Sequence, residues 1–130
     1  NGQETDKKIA LCTASPFCND KGYIFTPDNK VAFMQRTDDK SQFVLGDFKG
    51  KPYYIIRNIT FTPDGKHYAY IAATEQPKDL SANKYVLVVD GKESETYDYY
   101  LSLYLNKDKN GFQAYLANGQ DVYVLKEKVN

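Results

Sequence analysis

The chain contains 130 residues with a mass of 14.9 kDa, which is enough for one domain but too little for two. It carries 17 lysines and arginines and 17 aspartates and glutamates, so no net charge attracts phosphate backbones or anionic lipids, and nucleic acid is not an expected partner. No apolar run approaches the roughly 18 residues that span a bilayer, and residues 1–8 are polar, so neither a signal peptide nor a transmembrane segment is expected. The 12 tyrosines and 7 phenylalanines favour strands over helices.

The first predicted element is a short strand at about 8–12, which stands before the repeated units and could supply the fourth strand that the third unit lacks. Cys12 and Cys18 come next, and their spacing fits neither a CxxC redox pair nor a zinc knuckle. A local disulfide is therefore expected, which would suit the periplasm or the outside of the cell. The alternative is two buried thiols in a reduced protein.

From residue 22 onward the chain repeats itself. The tetrad Phe-Thr-Pro-Asp occurs at 25–28 and again at 61–64, a spacing of 36 residues. A small, an aromatic and an aliphatic residue follow each turn, and a further strand-like run follows them. A third copy has both features, although 105–108 replaces the tetrad and keeps only its aspartate. Such repetition indicates repeated structural units. The triplets lie at 32–34, 69–71 and 114–116, and the predicted units span about 22–57, 58–100 and 101–130.

Turn residues separate the predicted strands. Pro63-Asp64-Gly65 and Pro27-Asp28-Asn29 combine a proline with a residue that tolerates positive φ, and Asp90-Gly91 and Asn118-Gly119 are hairpin signals. Residues 93–109 have apolar residues at helical spacing, but their tyrosines and leucines also alternate strictly, and the repeat favours strands there. The prediction is an all-β single domain, an antiparallel meander of about three units with three to four strands each.

The segment Phe61–Ile71 resembles the WD40-like propeller repeat of the TolB type, in which an aromatic residue, Ser or Thr, and Pro-Asp-Gly-Lys precede an alanine and an aromatic residue. Val88–Glu93 with Tyr97-Asp98 is similar to the third-strand turn and fourth strand of such a blade. The resemblance covers about 22–127 and implies radially arranged antiparallel blades that serve as platforms for partners. Closed propellers need about four to eight blades. Three units are thus not a complete propeller, and imply an open array, a piece of a longer protein, or two chains that complete a ring.

Candidate binding residues lie in the tyrosine-rich segments that end the first two units. Their rigid amphipathic rings suit protein interfaces and sugar stacking, although they could simply pack between neighbouring units. Exposed terminal strand edges would also invite association. The candidates are Tyr53, Tyr54, Tyr97, Asp98, Tyr99 and Tyr100.

No catalytic or metal-binding pattern stands out. His67 is the only histidine, and no nucleophile motif accompanies it. Residues 106–111 imitate the first half of a calcium loop, but Ala117 occupies the position that needs a bidentate carboxylate. Three aspartates could serve a hydrolase that is active only when assembled, but they most simply make turns: Asp28, Asp64 and Asp108.

The expected function is therefore a non-catalytic interaction module that needs no cofactor or metal. It would bind a protein partner or form a homo-oligomer with a second copy of the chain. The alternative is carbohydrate or cell-wall binding through exposed tyrosines.

Overall fold

The computed structural model describes residues 8–10, 23–75 and 84–129. In these ranges the chain forms twelve strands in three antiparallel sheets, none of which closes into a barrel. The prediction of an all-β antiparallel chain is confirmed. No helix in the described part is long and apolar enough to cross a membrane.

The first sheet is four strands wide because its first two strands lie end to end along one edge. Lys8–Ala10 and Tyr23–Phe25 both pair with the strand Val31–Thr37. The strands of this sheet are β1 (Lys8–Ala10), β2 (Tyr23–Phe25), β3 (Val31–Thr37), β4 (Lys40–Leu45) and β5 (Phe48–Lys49).

The pairing of β1 corrects the expectation that the leading strand completes a later unit. β1 runs antiparallel to the second half of β3, with Lys8 opposite Arg36 and Ala10 opposite Met34. β2 is only three residues long and pairs with the first half of β3, so it leaves the same edge of the second half without a partner. Because Met34 and Gln35 are buried, their backbone groups need partners, and β1 lies along the edge that presents them.

The second sheet has four strands and the third has three. The second contains β6 (Ile55–Phe61), β7 (Tyr68–Ala73), β8 (Tyr85–Val89) and β9 (Lys92–Glu93). The third contains β10 (Tyr99–Leu105), β11 (Gly111–Asn118) and β12 (Asp121–Lys128). The preference for strands over a helix in 93–109 is confirmed, since β10 lies there with Leu103 buried and its neighbour Tyr104 exposed.

The Thr-Pro-Asp turn is built from local hydrogen bonds. The Thr62 hydroxyl donates to Asp64 Oδ1 at 2.6 Å and accepts from the His67 N–H at 3.2 Å. Gly65 has a φ of 74°, and a Cβ there would lie 2.5 Å from Oδ1 of Asp28 in the neighbouring turn. Only glycine fits both conditions. In the first sheet Asn29 supplies the positive φ, at 67°.

The register of the third unit corrects the sequence alignment by one residue. The Thr62 N–H donates to the His67 carbonyl, and in the third sheet the Asn106 N–H donates to the Gly111 carbonyl. Counting from these bonds, Gln113 and not Ala114 takes the place of Ala69. The small, aromatic and aliphatic triplet at 114–116 matches the others by residue type alone, whereas the turn hydrogen bond fixes the true register.

The three sheets stack face to face. β7 lies in the middle and is buried on both faces, which explains its uninterrupted apolar sequence. Its alternate residues Tyr68, Tyr70 and Ala72 pack towards the first sheet, and Ala69, Ile71 and Ala73 towards the third. The first cluster comprises Ile24, Ala32, Met34, Phe43, Tyr53, Ile56, Ile59, Phe61, Tyr68, Tyr70, Ala72, Val86 and Val88. The second comprises Ala69, Ile71, Ala73, Tyr85, Leu87, Leu103, Phe112, Ala114 and Leu116.

Candidate functional site

One face of the third sheet is uncovered in the described structure. The face that carries Leu103, Phe112 and Leu116 is buried against the second sheet. Strand alternation directs the neighbouring side chains the opposite way, and we call this opposite surface the open face. The open face consists of Tyr99, Ser102, Tyr104, Gln113, Tyr115, Ala117, Val122, Val124 and Lys126, of which Ala117 alone is buried.

Large apolar side chains on this face reach solvent. Val122 is 55 % exposed, Val124 47 %, Tyr104 44 % and Tyr99 41 %. Leu101, in the irregularity of β10 between Tyr100 and Ser102, is 55 % exposed as well. A contiguous exposed surface of this kind marks an interaction site in many soluble proteins.

The equivalent faces of the other two sheets are buried. By the turn register, Gln113 and Tyr115 stand where β7 has Ala69 and Ile71, both of which are completely buried against the third sheet. The same positions of β3 are Ala32 and Met34, buried against the second sheet. Each of the first two sheets is thus covered on this face by the next sheet, whereas no described strand covers this face of the third sheet.

Two tyrosines and a glutamine form an ordered group on the open face. Gln113 Nε2 donates to the hydroxyls of Tyr104 and Tyr115 at 3.2 and 3.1 Å, and the two ring centroids are 6.1 Å apart. The neighbouring Tyr104 hydroxyl lowers the pKa of Tyr115, with smaller contributions from Gln113 and the positive charge of Lys126. The Tyr115 hydroxyl in turn raises the pKa of Tyr104. The Gln113 amide therefore joins the two tyrosine rings.

The outer edge of the third sheet is also open. Within the described residues β12 pairs only with β11, whereas the third strands of the other two sheets are followed by β5 and β9. We call this outer side of β12 the open edge.

The sequence-predicted tyrosines take equivalent places but differ in exposure. Tyr53 and Tyr97 form matching bridges with Ser41 and Tyr85, which take equivalent places near the start of β4 and β8. Tyr53 is 2 % exposed and its hydroxyl donates to Glu93 Oε2 at 2.5 Å. Tyr97 is half-buried, and its ring centroid lies 5.6 Å from that of Tyr123.

The other four candidates lie near the junction of the second and third sheets. Tyr54 is half-buried below the Lys40 ammonium, and Tyr100 packs edge-on against Tyr85. Asp98 Oδ2 accepts from the Gly119 N–H at 3.0 Å, and the Tyr99 hydroxyl donates to the Gly119 carbonyl at 2.7 Å. The six candidates therefore do not form one site, and Tyr99 is the one that lies on the open face. Cys12 and Cys18 lie outside the described residues.

Sequence reasoning missed most of the open face. Gln113, Tyr115, Val122 and Val124 carry no motif. The signal that could have found them is the comparison of the third unit with the second in the correct register, where a glutamine and a tyrosine replace the buried Ala69 and an isoleucine.

Polar groups elsewhere serve the fold. Glu93 accepts from Tyr53 and from Lys51 at 3.1 Å, which joins the second sheet to the first, and the Tyr53 hydrogen bond is the main cause that lowers the pKa of Glu93. Asp28 and Asp64 accept from the threonines of their own turns, and these bonds lower the pKa of both carboxyls. Asp108 is exposed in the third turn.

His67 lies between the second and third sheets, beside two clefts of about 450 and 330 Å³. Its Nδ1 is 2.7 Å from Asp90 Oδ2, and Asp90 Oδ1 accepts from the Tyr68 N–H. This contact fixes the turn after β8. Among the described residues no three histidine, cysteine or carboxylate side chains converge as metal ligands would.

Comparison with known protein families, characterised proteins and solved structures found no match for this chain. The function is therefore inferred from the geometry of the chain itself.

Proposed function

We propose that the protein is a non-catalytic interaction module that associates with a second copy of itself through the open face of the third sheet. The observation that supports this is the repeat equivalence. The same face of the first and second sheets is buried against a following sheet, and the third sheet presents that face to solvent with exposed Tyr99, Tyr104, Val122 and Val124. The resemblance to propeller repeats agrees with a role as a platform for partners.

The matching surface is the outer face of the first sheet. Tyr23, Phe25, Val31 and Phe33 share this face by strand alternation, and Phe25 and Val31 are 52 % and 43 % exposed. By the turn register, Val31 and Phe33 take the places of Tyr68 and Tyr70 of β7, which pack against the first sheet. Docking the open face of one chain on this surface of another would repeat the contact that already joins the sheets within the chain.

The chemistry of both surfaces suits reversible association. The open face mixes aromatic rings with Gln113 and Lys126, whereas the positions of Gln113 and Lys126 are held by Ala69 and Val89 in the second sheet. The chain carries 17 positive and 17 negative groups, so two copies do not repel each other. Because the two surfaces differ, the contact is head-to-tail, and it produces either a closed ring or an open chain of copies. Two copies bring six sheets, a number within the range of about four to eight found in closed rings.

Static light scattering with sedimentation velocity tests the proposal. We expect a concentration-dependent shift from 14.9 kDa towards twice that mass. Val124→Lys buries a charge in the contact and should hold the protein at the monomer mass. Gln120→Lys adds the same charge in the exposed turn before β12, off the open face, and should leave association unchanged.

Mixing two variants tests the head-to-tail arrangement. Phe25→Lys damages the surface on the first sheet and leaves the open face intact. Each of Phe25→Lys and Val124→Lys should be monomeric alone, and the mixture should form a heterodimer through the one undamaged pair of surfaces. A wild-type monomer at all concentrations, or association of Val124→Lys like the wild type, contradicts the proposal.

A second candidate function is carbohydrate binding, which the Tyr104, Gln113 and Tyr115 group favours. An exposed ring and a half-buried ring with an amide between them provide a stacking surface and a hydrogen-bonding group, as sugar sites do. Titration calorimetry with soluble oligosaccharides distinguishes the two functions. Saturable heat that Tyr115→Ala abolishes would favour the sugar, and no heat would favour the protein contact.

A further inference from the structure

The open edge of β12 has two internal counterparts that show what fits it. In the first sheet, Tyr53 exchanges both backbone hydrogen bonds with Ser41, at 2.6 and 2.8 Å. Three residues earlier, the Gly50 N–H donates to the Phe43 carbonyl at 2.8 Å. An extended segment, 50–53, thus covers the outer edge of β4.

The second sheet repeats this arrangement atom for atom. Tyr97 exchanges both hydrogen bonds with Tyr85, at 2.8 Å each, and the Ser94 N–H donates to the Leu87 carbonyl at 2.8 Å. The two covering segments share one pattern, a small residue followed by two others and a tyrosine: Gly50-Lys51-Pro52-Tyr53 and Ser94-Glu95-Thr96-Tyr97.

The strand register shows where this segment would lie on the third sheet. Arg36 pairs with Ser41 in the first sheet, and Ala73 pairs with Tyr85 in the second. The corresponding residue of the third sheet, Ala117, pairs with Val122. Val122 therefore takes the place of the two residues that bind a tyrosine.

Val124 likewise takes the place of Phe43 and Leu87, whose carbonyls accept from the small residue of the segment. Its side chain is 47 % exposed, that of Val122 is 55 % exposed, and within the described ranges no strand pairs with this side of β12. The edge thus presents a donor and two acceptors in the arrangement that the chain fills twice elsewhere.

We propose that the open edge binds an extended segment of another polypeptide with the pattern Gly or Ser, two residues, then Tyr, added antiparallel to β12. The tyrosine exchanges both backbone hydrogen bonds with Val122, and the small residue donates its N–H to the Val124 carbonyl. This is strand addition to an exposed edge, in which the main chain gives affinity and the alternate side chains give specificity. The tyrosine ring lies on the side of the open face, as the ring of Tyr97 lies on the side that faces the third sheet.

The register also predicts a charge preference. Lys92 lies opposite Val89 in the second sheet, and Lys126 takes the place of Val89 in the third. The partner residue two positions before its small residue therefore lies opposite Lys126. Opposite charges directly across a strand pair are favourable and like charges are not, so an acidic residue is preferred there.

The probe is a labelled synthetic peptide of residues 91–98 with Lys92→Glu, Gly-Glu-Glu-Ser-Glu-Thr-Tyr-Asp, titrated by fluorescence anisotropy. The unmodified sequence should bind more weakly because its lysine meets Lys126. Methylating the backbone nitrogen of Ser94 removes one donor and should weaken binding about tenfold. Replacing Tyr97 by alanine should weaken it by at least as much.

On the protein, Val122→Pro removes the outward N–H at an edge position where proline is tolerated, and Val122→Thr retains it. The first should weaken binding about tenfold and the second should not. Hydrogen exchange on the wild-type protein provides a readout that does not need the proline variant to fold. Peptide binding should slow exchange at the Val122 amide and leave the Tyr123 amide, which lies on the β11 side, nearly unchanged.

This proposal does not rest on self-association, because it uses the backbone groups along the outer edge of β12, whereas the face contact uses side chains of the open face and of the first sheet. The titrations are repeated on Phe25→Lys, which damages the face contact through the first sheet and leaves β12 intact. Saturable binding to that monomer supports the edge site whether or not the wild type dimerises. Absence of saturable binding, equal binding of the methylated peptide, or no slowing of exchange at Val122 would overturn it.

Discussion

The hydroxyl of Tyr70 offers a quantitative test of the packing between the first two sheets. Tyr70 is completely buried, and its hydroxyl oxygen has no hydrogen-bond partner among the described residues. The ring lies among Phe43, Tyr53 and Tyr68, at centroid distances of 5.4, 6.3 and 6.0 Å. Burial raises the pKa of this hydroxyl to about 12.

Tyr70→Phe removes the hydroxyl and keeps the ring. A buried hydroxyl without a partner costs about 1–3 kcal/mol relative to water. The oxygen leaves a space of about 15 Å³, which at about 24 cal/mol per Å³ offsets about 0.4 kcal/mol of the gain. We therefore expect the variant to be more stable than the wild type by about 1–2 kcal/mol.

Tyr53→Phe is the matched control, because it makes the same chemical change at a hydroxyl that has a partner. The Tyr53 hydroxyl donates to Glu93, whose side chain is 32 % exposed and can turn partly to water. Losing this bond should destabilise the protein by about 1 kcal/mol. Identical deletions are thus expected to change the free energy of unfolding in opposite directions.

Urea titrations followed by circular dichroism measure both variants. The dependence of unfolding free energy on urea should be the same in all three proteins, so that the midpoints report stability directly. A loss of 1 kcal/mol or more in Tyr70→Phe would refute the reasoning, since it would show that the Tyr70 hydroxyl is hydrogen-bonded in solution.

Two further predictions use the same titration. The folded-state pKa values of Asp64 and Glu93 are lowered by their hydrogen bonds, so the stability they contribute is present above about pH 4 and should be lost as the pH falls below it. The folded-state pKa of Tyr70 is about 12, whereas unfolded tyrosines ionise near pH 10, so the free energy of unfolding should also fall between about pH 10 and 12. A free energy of unfolding that does not change with pH in the acidic or the alkaline range contradicts the corresponding pKa shift. Gly111→Ala places a Cβ against the backbone of β12 and should destabilise the protein by about 2–3 kcal/mol. In Gly46→Ala the Cβ meets no atom within 4 Å, so only the positive φ should destabilise the protein, by about 1 kcal/mol. Equal losses of stability in the two variants would show that β12 can shift to accommodate the Cβ at position 111.

Local chemistry explains what the sequence could predict about the fold. The Thr-Pro-Asp turn closes through bonds between residues five or fewer positions apart, such as Thr62 with Asp64 and His67. Such a turn is visible in the sequence because its determinants are contiguous. The alternation of apolar residues around each turn then identifies strands, and the recurrence of the turn identifies the repeated units.

Non-local pairing explains what the sequence could not predict. β1 was expected to complete a later unit. It pairs instead with residues 34–36 of β3, which lie far along the chain and which β2 leaves unpaired on that edge. The third unit shows the same difficulty, because its turn lacks the tetrad and the nearest alanine suggested a register wrong by one residue. In a strand, an error of one residue exchanges the two faces, and this hid the open face.

The residue type alone does not predict whether a tyrosine is buried or exposed. Tyr53 and Tyr99 both lie in the tyrosine-rich segments that end the first two predicted units, yet the first is 2 % exposed and the second 41 %. The difference arises from whether another sheet covers them, which is a property of the stack and not of the segment. Position in the repeat, read in the correct register, is the information that separates them.

The composition of the open face differs from that of the covered faces, which supports the proposed role of this surface as an interface. Where the second sheet has Ala69, Ile71 and Val89, the third has Gln113, Tyr115 and Lys126. On a permanently covered face, a lysine or an amide without a hydrogen-bond partner would cost free energy of desolvation. On a face that is always in water, two tyrosines joined through an amide and two half-exposed valines would not be expected. Ordering exposed apolar side chains costs conformational entropy, and without a partner no burial offsets this cost. Rigid tyrosines that carry their own hydrogen-bonded amide lose little entropy on contact, and this is the property that a surface needs if it is covered only part of the time.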